Sequence, residues 1–438
     1  MTLASLVIAL ASANHRWQPY ALSGAFFVRI AVPSEVGNIS VSGALPSLHV
    51  STVLILFYCV VWPLATRRKE ASTPGPAPIP VLCHVIIGTV AAGSVIMSGS
   101  LASMGFVAGL TLNQIVAPYL FCVLVYNASR RHISLYEHAG RLFALICVLE
   151  AVIALAVHLQ LVPQPYLSTF SSLNSWSSLV GRERGTLEHP LALGLFLVAG
   201  IPMAVYFRSR IMAYVAILLM VLGISFTQSR IAMLGAVAGI VYLMLIGSKS
   251  IRQRITLLIV AFAGYTALDS AGAFDGIRDR IKFDDGSSRG RILAFNQFVD
   301  NWRQFQFAGV GMELNKEYFR THGIRSSGES AAIGYAVGIG IPLTLLYFAA
   351  IVWLIGRAVK QANRITPAAA SAIIVLVSIQ LYSSVTTESA AGMILWTTIG
   401  IALAAPSVAG GEKRAARYEP VRRTPRASHG MVGPFVHR

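Results

Sequence analysis

Charge is scarce in this chain. Only 12% of its 438 residues are charged and 18 are acidic, against 55% hydrophobic residues and a mean hydropathy of +0.65. A soluble protein of this length does not carry so little charge over so much apolar sequence. Cysteine is equally scarce. Cys59, Cys83, Cys122 and Cys147 all lie within apolar runs, which leaves no basis for a disulfide framework or a thiolate metal site. There is no P-loop and no His-Glu-x-x-His, and the polar loops lack the Asp-x-Asp arrangement that holds a nucleotide-bound divalent cation. Chemistry fuelled by nucleotides or run by a metal is disfavoured, and no cofactor is expected.

What is abundant is apolar sequence in lengths that suit a bilayer. Runs recur near residues 3 to 30 (broken), 45 to 64, 80 to 98, 104 to 127, 138 to 160, 189 to 207, 211 to 227, 231 to 247, 254 to 269, 331 to 355, 367 to 386 and 391 to 408. Backbone polar groups in lipid must be bonded internally, so these read as helices. The expectation is an all-α polytopic membrane protein of about twelve transmembrane helices with one large extracytoplasmic loop containing short helices. The first run, Leu3 to Ala13, has no basic stretch before it and no convincing cleavage site ahead of His15 and Arg16, so it reads as a retained segment.

The formal net charge of +17 then serves as a topology signal. With both termini in the cytoplasm, the short loops holding Arg67, Arg68, Lys69, Arg130, Arg131, Arg208, Arg210, Arg252 and Arg254 fall inside together with the basic tail, while most acidic residues fall outside. Positive charge dispersed in this way does not describe a nucleic-acid surface. Four parts follow: a first bundle segment over 1–268, an extracytoplasmic catalytic loop over 269–330, a second bundle segment over 331–408, and a basic, Pro- and Gly-containing cytoplasmic tail over 409–438 that reads as disordered. No internal repeat marks the inverted halves of a secondary transporter.

The suggestive polar residues converge on the outer face. Arg182, Arg184 and His189 precede the run at 189 to 207. Ser229 and Arg230 fall in a tight turn between two runs. Arg289, Arg291, His322, Arg325 and Glu329 belong to the large loop, and Glu388 to the last outer turn. Guanidinium groups suit an anionic phosphate, because each stays charged and donates two parallel hydrogen bonds. Any one of them could equally pair with an outer carboxylate or a lipid headgroup. Glu329 and His322 are candidate general bases, and Glu329, immediately before a run, is preferred. His189, followed by Pro190, could cap a helix instead. Glu150 lies within a run, where a carboxylate is either functional or a helix-to-helix hydrogen-bond partner.

Three blocks carry a resemblance. GRERGTLEHPLALGLFLVAGIP (Gly181 to Pro202) has an Arg-x-x-Gly followed by a His-Pro helix start. FTQSRIAMLGAVAGI (Phe226 to Ile240) has a Ser-Arg turn opening an apolar helix. GRILAFNQFVDNWRQFQFAGVG (Gly290 to Gly311) begins with Arg and ends in Gly-x-Gly, after which a Gly-Ile stretch (Gly338 to Pro342) leads back into the membrane. In order and spacing these blocks resemble the O-antigen ligase and polymerase superfamily of bacterial envelope proteins.

The resemblance implies metal-independent glycosyl transfer from an undecaprenyl-pyrophosphate-linked glycan at the outer face of the bacterial cytoplasmic membrane. It gives Arg182, Arg230 and Arg291 the pyrophosphate, with Arg184 and Arg289 as neighbours that could substitute. Membrane lipids, and a chain-length regulator or other polysaccharide-assembly proteins, are the implied partners. Where many ligases have His-Asn, this chain has Glu329 and Ser330, which favours polymerase over ligase. Rivals from other classes are a transporter or flippase of envelope precursors and a non-catalytic assembly subunit.

Overall fold

The computed structural model describes residues 18–39, 47–66, 78–97, 101–131, 133–172, 181–247, 250–270, 272, 274–283, 285–324, 330–381 and 390–405. Arg325, Glu329, Glu388, the run Leu3 to Ala13 and the tail lie outside the described residues. Within them the protein is a bundle of α-helices: α1 (Gln18–Ala31), α2 (Val50–Thr66), α3 (Val81–Ile96), α4 (Leu101–Thr111), α5 (Ala117–Arg131), α6 (Ile133–His158), α7 (Pro190–Met203), α8 (Arg210–Phe226), α9 (Arg230–Tyr242), α10 (Ile251–Ser270), α11 (Asp275–Phe283), α12 (Asp285–Asn301), α13 (Asn315–Thr321), α14 (Ala331–Ile339), α15 (Ile341–Ala362), α16 (Pro367–Ser378) and α17 (Ala391–Ala404). A π-helical turn, Leu112–Val116, joins α4 to α5. The short ladder β1 (Asn38–Ile39) and β2 (Leu48–His49) pairs antiparallel ahead of α2.

Among the described residues, four helical stretches are long and apolar enough to cross a membrane: Ser103–Ser129, Leu135–His158, Arg230–Gly247 and Ile341–Ala362. Seven further apolar helices among them are shorter. All-α membrane architecture is thus what the chain adopts. The bundle axis is formed by α7 and α17, whose residues are buried all round. Helices apolar on every face are those surrounded by other helices. Small residues permit the close approach that packing in lipid depends on. A Cβ on Gly194 of α7 would lie 2.7 Å from the Ala232 Cβ of α9, and one on Gly400 of α17 would lie 2.9 Å from the Cys122 carbonyl of α5.

Contacts sort the helix ends into two sets. At one end Arg141 Nε donates to the Tyr206 carbonyl at 3.1 Å, Arg357 Nη2 to that of Pro78 at 2.8 Å, and the Tyr242 hydroxyl to that of Ile365 at 3.0 Å. At the other, Tyr166 Oη donates to Ala31 O at 2.8 Å, Ala390 N to Glu188 Oε1 at 2.8 Å, and Ser103 Oγ to Glu313 Oε1 at 3.1 Å. The second, loop-rich end gathers the residues before α7, the turn before α9 and the segment from α11 to α14.

One expected run is divided. The stretch expected as a single span over 331 to 355 forms two helices, α14 and α15, broken at Gly340, whose φ of +84° is a left-handed conformation that glycine adopts at no steric cost. Pro342 then sits in the first turn of α15, where its missing N–H has no intrahelical acceptor to lose. Val337 of α14 packs in a small core with Ala294, Phe305, Phe319 and Ile324 of the large loop. Ala331, Tyr335 and Ile339 of the same helix pack in the main bundle core, so α14 joins the large loop to the bundle.

Candidate functional site

The loop before α7 is laced to the turn before α9. Glu183 N donates to the Phe226 carbonyl at 3.0 Å, Gln228 Nε2 to that of Gly181 at 2.9 Å, and Arg182 Nε to that of Thr227 at 2.9 Å. The turn itself is fixed by hydroxyl chemistry. Thr227 Oγ1 donates to Ile224 O at 2.7 Å, and Ser229 Oγ caps α9 by accepting from Ala232 N at 3.2 Å. Arg230 is consequently the first residue of α9, half-buried, three positions after the Thr227 carbonyl that the half-buried Arg182 reaches. The first N–H groups of a helix point out of its end and favour an anion there. Below the turn, Leu191, Ser229, Ile231 and Ser378 line a narrow, largely apolar cleft between α7, α9 and α16.

Glu150 holds the floor of this arrangement. Fully buried in α6, its carboxylate accepts from Thr186 N at 2.9 Å and from the Thr186 hydroxyl at 2.6 Å. Gly185, with φ +61°, leaves the room: a Cβ there would collide with Glu150 Oε2. Gln164 Nε2 donates to the Gly185 carbonyl at 2.7 Å. Of the two roles open to Glu150, the geometry gives it a hydrogen-bonding one, toward a loop rather than a second helix. We predict that Glu150→Leu, which orphans the Thr186 N–H at roughly 1–3 kcal/mol and leaves the Thr186 hydroxyl only its 3.2 Å contact with the Ile30 carbonyl, lowers the thermal midpoint of the purified protein by more than Glu150→Gln, which keeps one acceptor. Equal midpoints for the Leu variant and the parent would show that the lock is unimportant.

Other candidates are placed less favourably for a ligand. His189 caps α7, its Nδ1 accepting from Leu191 N at 3.0 Å, so the capping alternative describes it. Arg184 is buried, with its guanidinium carbon 4.1 Å from the Phe170 ring centroid. Burial pushes its pKa down while the charges of Glu35 and Glu183 pull it up. It faces into the protein and does not stand in for Arg182. Arg289 is exposed and lies two positions before Arg291 on α12, hence on a different face of the helix.

Arg291 is half-buried on the face of α12 that also carries Ala294 and Phe298, next to the loop's core. His322 is exposed at the end of α13, with Nδ1 2.7 Å from the Tyr318 carbonyl. A carbonyl only accepts, so Nδ1 carries the proton and Nε2 is the basic nitrogen. The loop reaches the turn before α9 through α11: a Cβ on Gly276 would meet Gln228 Nε2 at 2.6 Å. Arg182 is thus tied to the turn that ends at Arg230, and α11 of the large loop lies against Gln228 of the same turn.

Sequence reasoning missed several residues at this end. Glu183 lies 3.5 Å from His158 Nδ1, and the His158 ring stacks on Phe226 at 4.0 Å. Burial raises the pKa of Glu183, with His158 and Arg184 opposing the shift. Glu188, buried, takes the N–H of Ala390 at the start of α17, 202 residues away in the chain. Arg29, buried in the last turn of α1, donates to Ser34 Oγ at 3.0 Å. Acidic residues inside the Arg-x-x-Gly block were the available signal for the first two; Arg29 was hidden within an apolar run. Among the described residues, no three His, Cys, Asp or Glu side chains converge as a metal site would require.

Residues 215–348 match the family described as O-antigen ligase. The matched segment runs from α8 through the Ser229–Arg230 turn and the loop into α15, and includes Arg230, Arg289, Arg291 and His322. No curated protein matches the chain significantly.

Proposed function

Because residues 215–348 carry the pattern of the O-antigen ligase/polymerase superfamily, we propose that this protein polymerises undecaprenyl-pyrophosphate-linked oligosaccharide repeat units at the outer face of the bacterial cytoplasmic membrane. The observation that supports this reading is the lacing of Arg182 to the Thr227–Arg230 turn, with Arg230 at the start of α9 and an apolar cleft lined by Ser229 and Ile231 below. A pyrophosphate would sit at the charged mouth, with its polyprenyl chain along the cleft. Arg291 would approach from the loop.

In the transfer step, an acceptor sugar hydroxyl attacks the anomeric carbon of the donor as the bond from that carbon to the pyrophosphate oxygen breaks. The arginines neutralise the charge that gathers on the leaving pyrophosphate. Glu329 takes the hydroxyl proton, with His322, basic at Nε2, as the second candidate. A single displacement inverts the anomeric centre. No step calls on a metal.

The test is an in vitro reaction of the purified protein in liposomes with its lipid-linked repeat unit and EDTA present throughout, followed by gel analysis of glycan size. A growing ladder is the expected result. The description of the matched family favours a second reading, ligation of a finished glycan to a different acceptor. One-step attachment to such an acceptor without a ladder would select it. Absence of any product from intact substrate would overturn glycosyl transfer and favour transport of an envelope precursor.

A further inference from the structure

The helix α12 has three faces where an ordinary surface helix has two. Ala294, Gln297, Phe298 and Asn301 turn toward the loop's core. Arg289, Asn296 and Asp300 form an exposed face that is polar apart from Leu293, which is 46% exposed. Between the two runs an apolar stripe, Ile292, Phe295, Val299 and Trp302, at steps of three, four and three residues, which a helix stacks on one side. The stripe is open, from 43% exposure at Trp302 to 61% at Ile292. Phe307, five residues after Trp302, is 77% exposed.

The height of this stripe is set by α15. That helix, a candidate span of 22 residues with Arg357 and Lys360 in its last turns, is about 33 Å long at 1.5 Å per residue, comparable to a hydrocarbon core of about 30 Å. Its first residue, Ile341, therefore lies toward the membrane boundary at the loop-rich end. The Phe307 carbonyl lies 3.0 Å from where a Cβ on Gly340 would be, so the chain that continues the stripe is fastened at that boundary. Leu345, in the next turn of α15, is also widely exposed. Exposed apolar side chains thus stand on both segments that meet at Gly340, Phe307 on one and Leu345 on the other. At either end of the stripe stands an exposed arginine, Arg289 and Arg303, matched in sign to lipid phosphates.

We infer that α12 is an interfacial helix: its stripe of Ile292, Phe295, Val299 and Trp302 dips into the outer boundary between headgroups and acyl chains, and its polar face looks into water. The aromatic rings of Phe295 and Trp302 are residue types that settle at this depth. The occupant is the bilayer itself. Its consequence for Arg291, at the edge between stripe and loop core, is a fixed depth near the lipid phosphates. That consequence belongs to the proposed function, whereas the depth of the helix does not depend on it.

Nitroxide labels test this in the full-length protein, reconstituted into nanodiscs of phosphatidylethanolamine and phosphatidylglycerol. Phe295→Cys, Val299→Cys and Asn296→Cys are labelled singly, with the labelling-treated parent as blank, since Cys83, Cys122 and Cys147 are buried and Cys59 half-buried. Collision rates with oxygen and with a water-soluble nickel chelate are compared. The logarithm of the oxygen-to-nickel ratio is expected to be positive at 295 and 299 and negative at 296. Nickel-dominated collisions at all three positions would overturn the inference by placing the stripe in water. Protection from both reagents at 295 and 299 would also overturn it, in favour of a protein occupant such as a second copy of the chain.

Discussion

Arg230→Ala is expected to reduce glycan transfer by about 10²–10³-fold, the cost of removing one preorganised donor from a charge-stabilising site. The residue occupies the first position of α9, and its half-burial keeps its field less screened than that of a surface arginine. The substitution leaves the local fold alone. Ser229 still caps the helix through Ala232 N, and Arg182 still reaches the Thr227 carbonyl. Loss of product at unchanged membrane abundance is therefore the expected pair of observations. Arg230→Lys should recover only part of the rate, because an ammonium group is a point charge without the planar two-donor fork. Arg291→Ala is expected to act in the same direction. Transfer rates within a few-fold of the parent for Arg230→Ala, measured on proteoliposomes with a defined lipid-linked substrate, would remove Arg230 from the site.

The largest structural effect is expected at Gly309. A Cβ at that position would fall on the Gly338 carbonyl and the Ile339 amide, backbone atoms that no rotamer change can move aside. The segment is held there by Val310 N to Val337 O at 2.8 Å and Gly311 N to Gly338 O at 3.0 Å. Gly309→Ala should push the strand-like segment off the break between α14 and α15, losing both bonds and overpacking the contact. The expected cost is roughly 2–4 kcal/mol. It should show as a lower thermal midpoint and faster proteolysis between α13 and α14. Gly356→Ala is the control: it lies in α15 with open space about it, and alanine there should be neutral or slightly stabilising. Indistinguishable behaviour of the two variants would mean that the docking contributes nothing.

Element positions were legible in the sequence because lipid imposes them. Apolar runs of sufficient length have no alternative to helix, and each expected run described by the structure contains one. The break at Gly340 had a local signal in the Gly-Ile stretch ending at Pro342, yet the run over 331 to 355 was read as one span. What was not legible is the approach of Gly309 and Gly311 to that break, a contact between segments that no local pattern encodes. Arg182 and Arg230 could be picked out because they fall on the less basic, outer side of the expected topology, Arg230 at the start of an apolar run and Arg182 shortly ahead of one. The different fates of Arg182 and Arg184 were not legible, since the two differ only in which way the loop turns: one toward Thr227, the other onto Phe170. The same holds for Glu188, whose partner at Ala390 is brought to it by the packing of α7 against α17.

The lacing of Gly181, Arg182 and Glu183 to Phe226, Thr227 and Gln228 also bears on how such proteins can recombine. The family segment begins at residue 215, yet half of that seam lies upstream of it. A chimaera exchanging 215–348 alone would keep the bond from Glu183 N to the Phe226 carbonyl, which any sequence can supply. It would pair a resident Arg182 with a foreign turn, and would lose the Gln228 bond to Gly181 wherever the donor has another residue. Since Gln164 and Glu150 hold the far edge of the same loop, the natural crossover point lies before α6. Function in this architecture should be inherited in a block that starts well ahead of the conserved-looking segment.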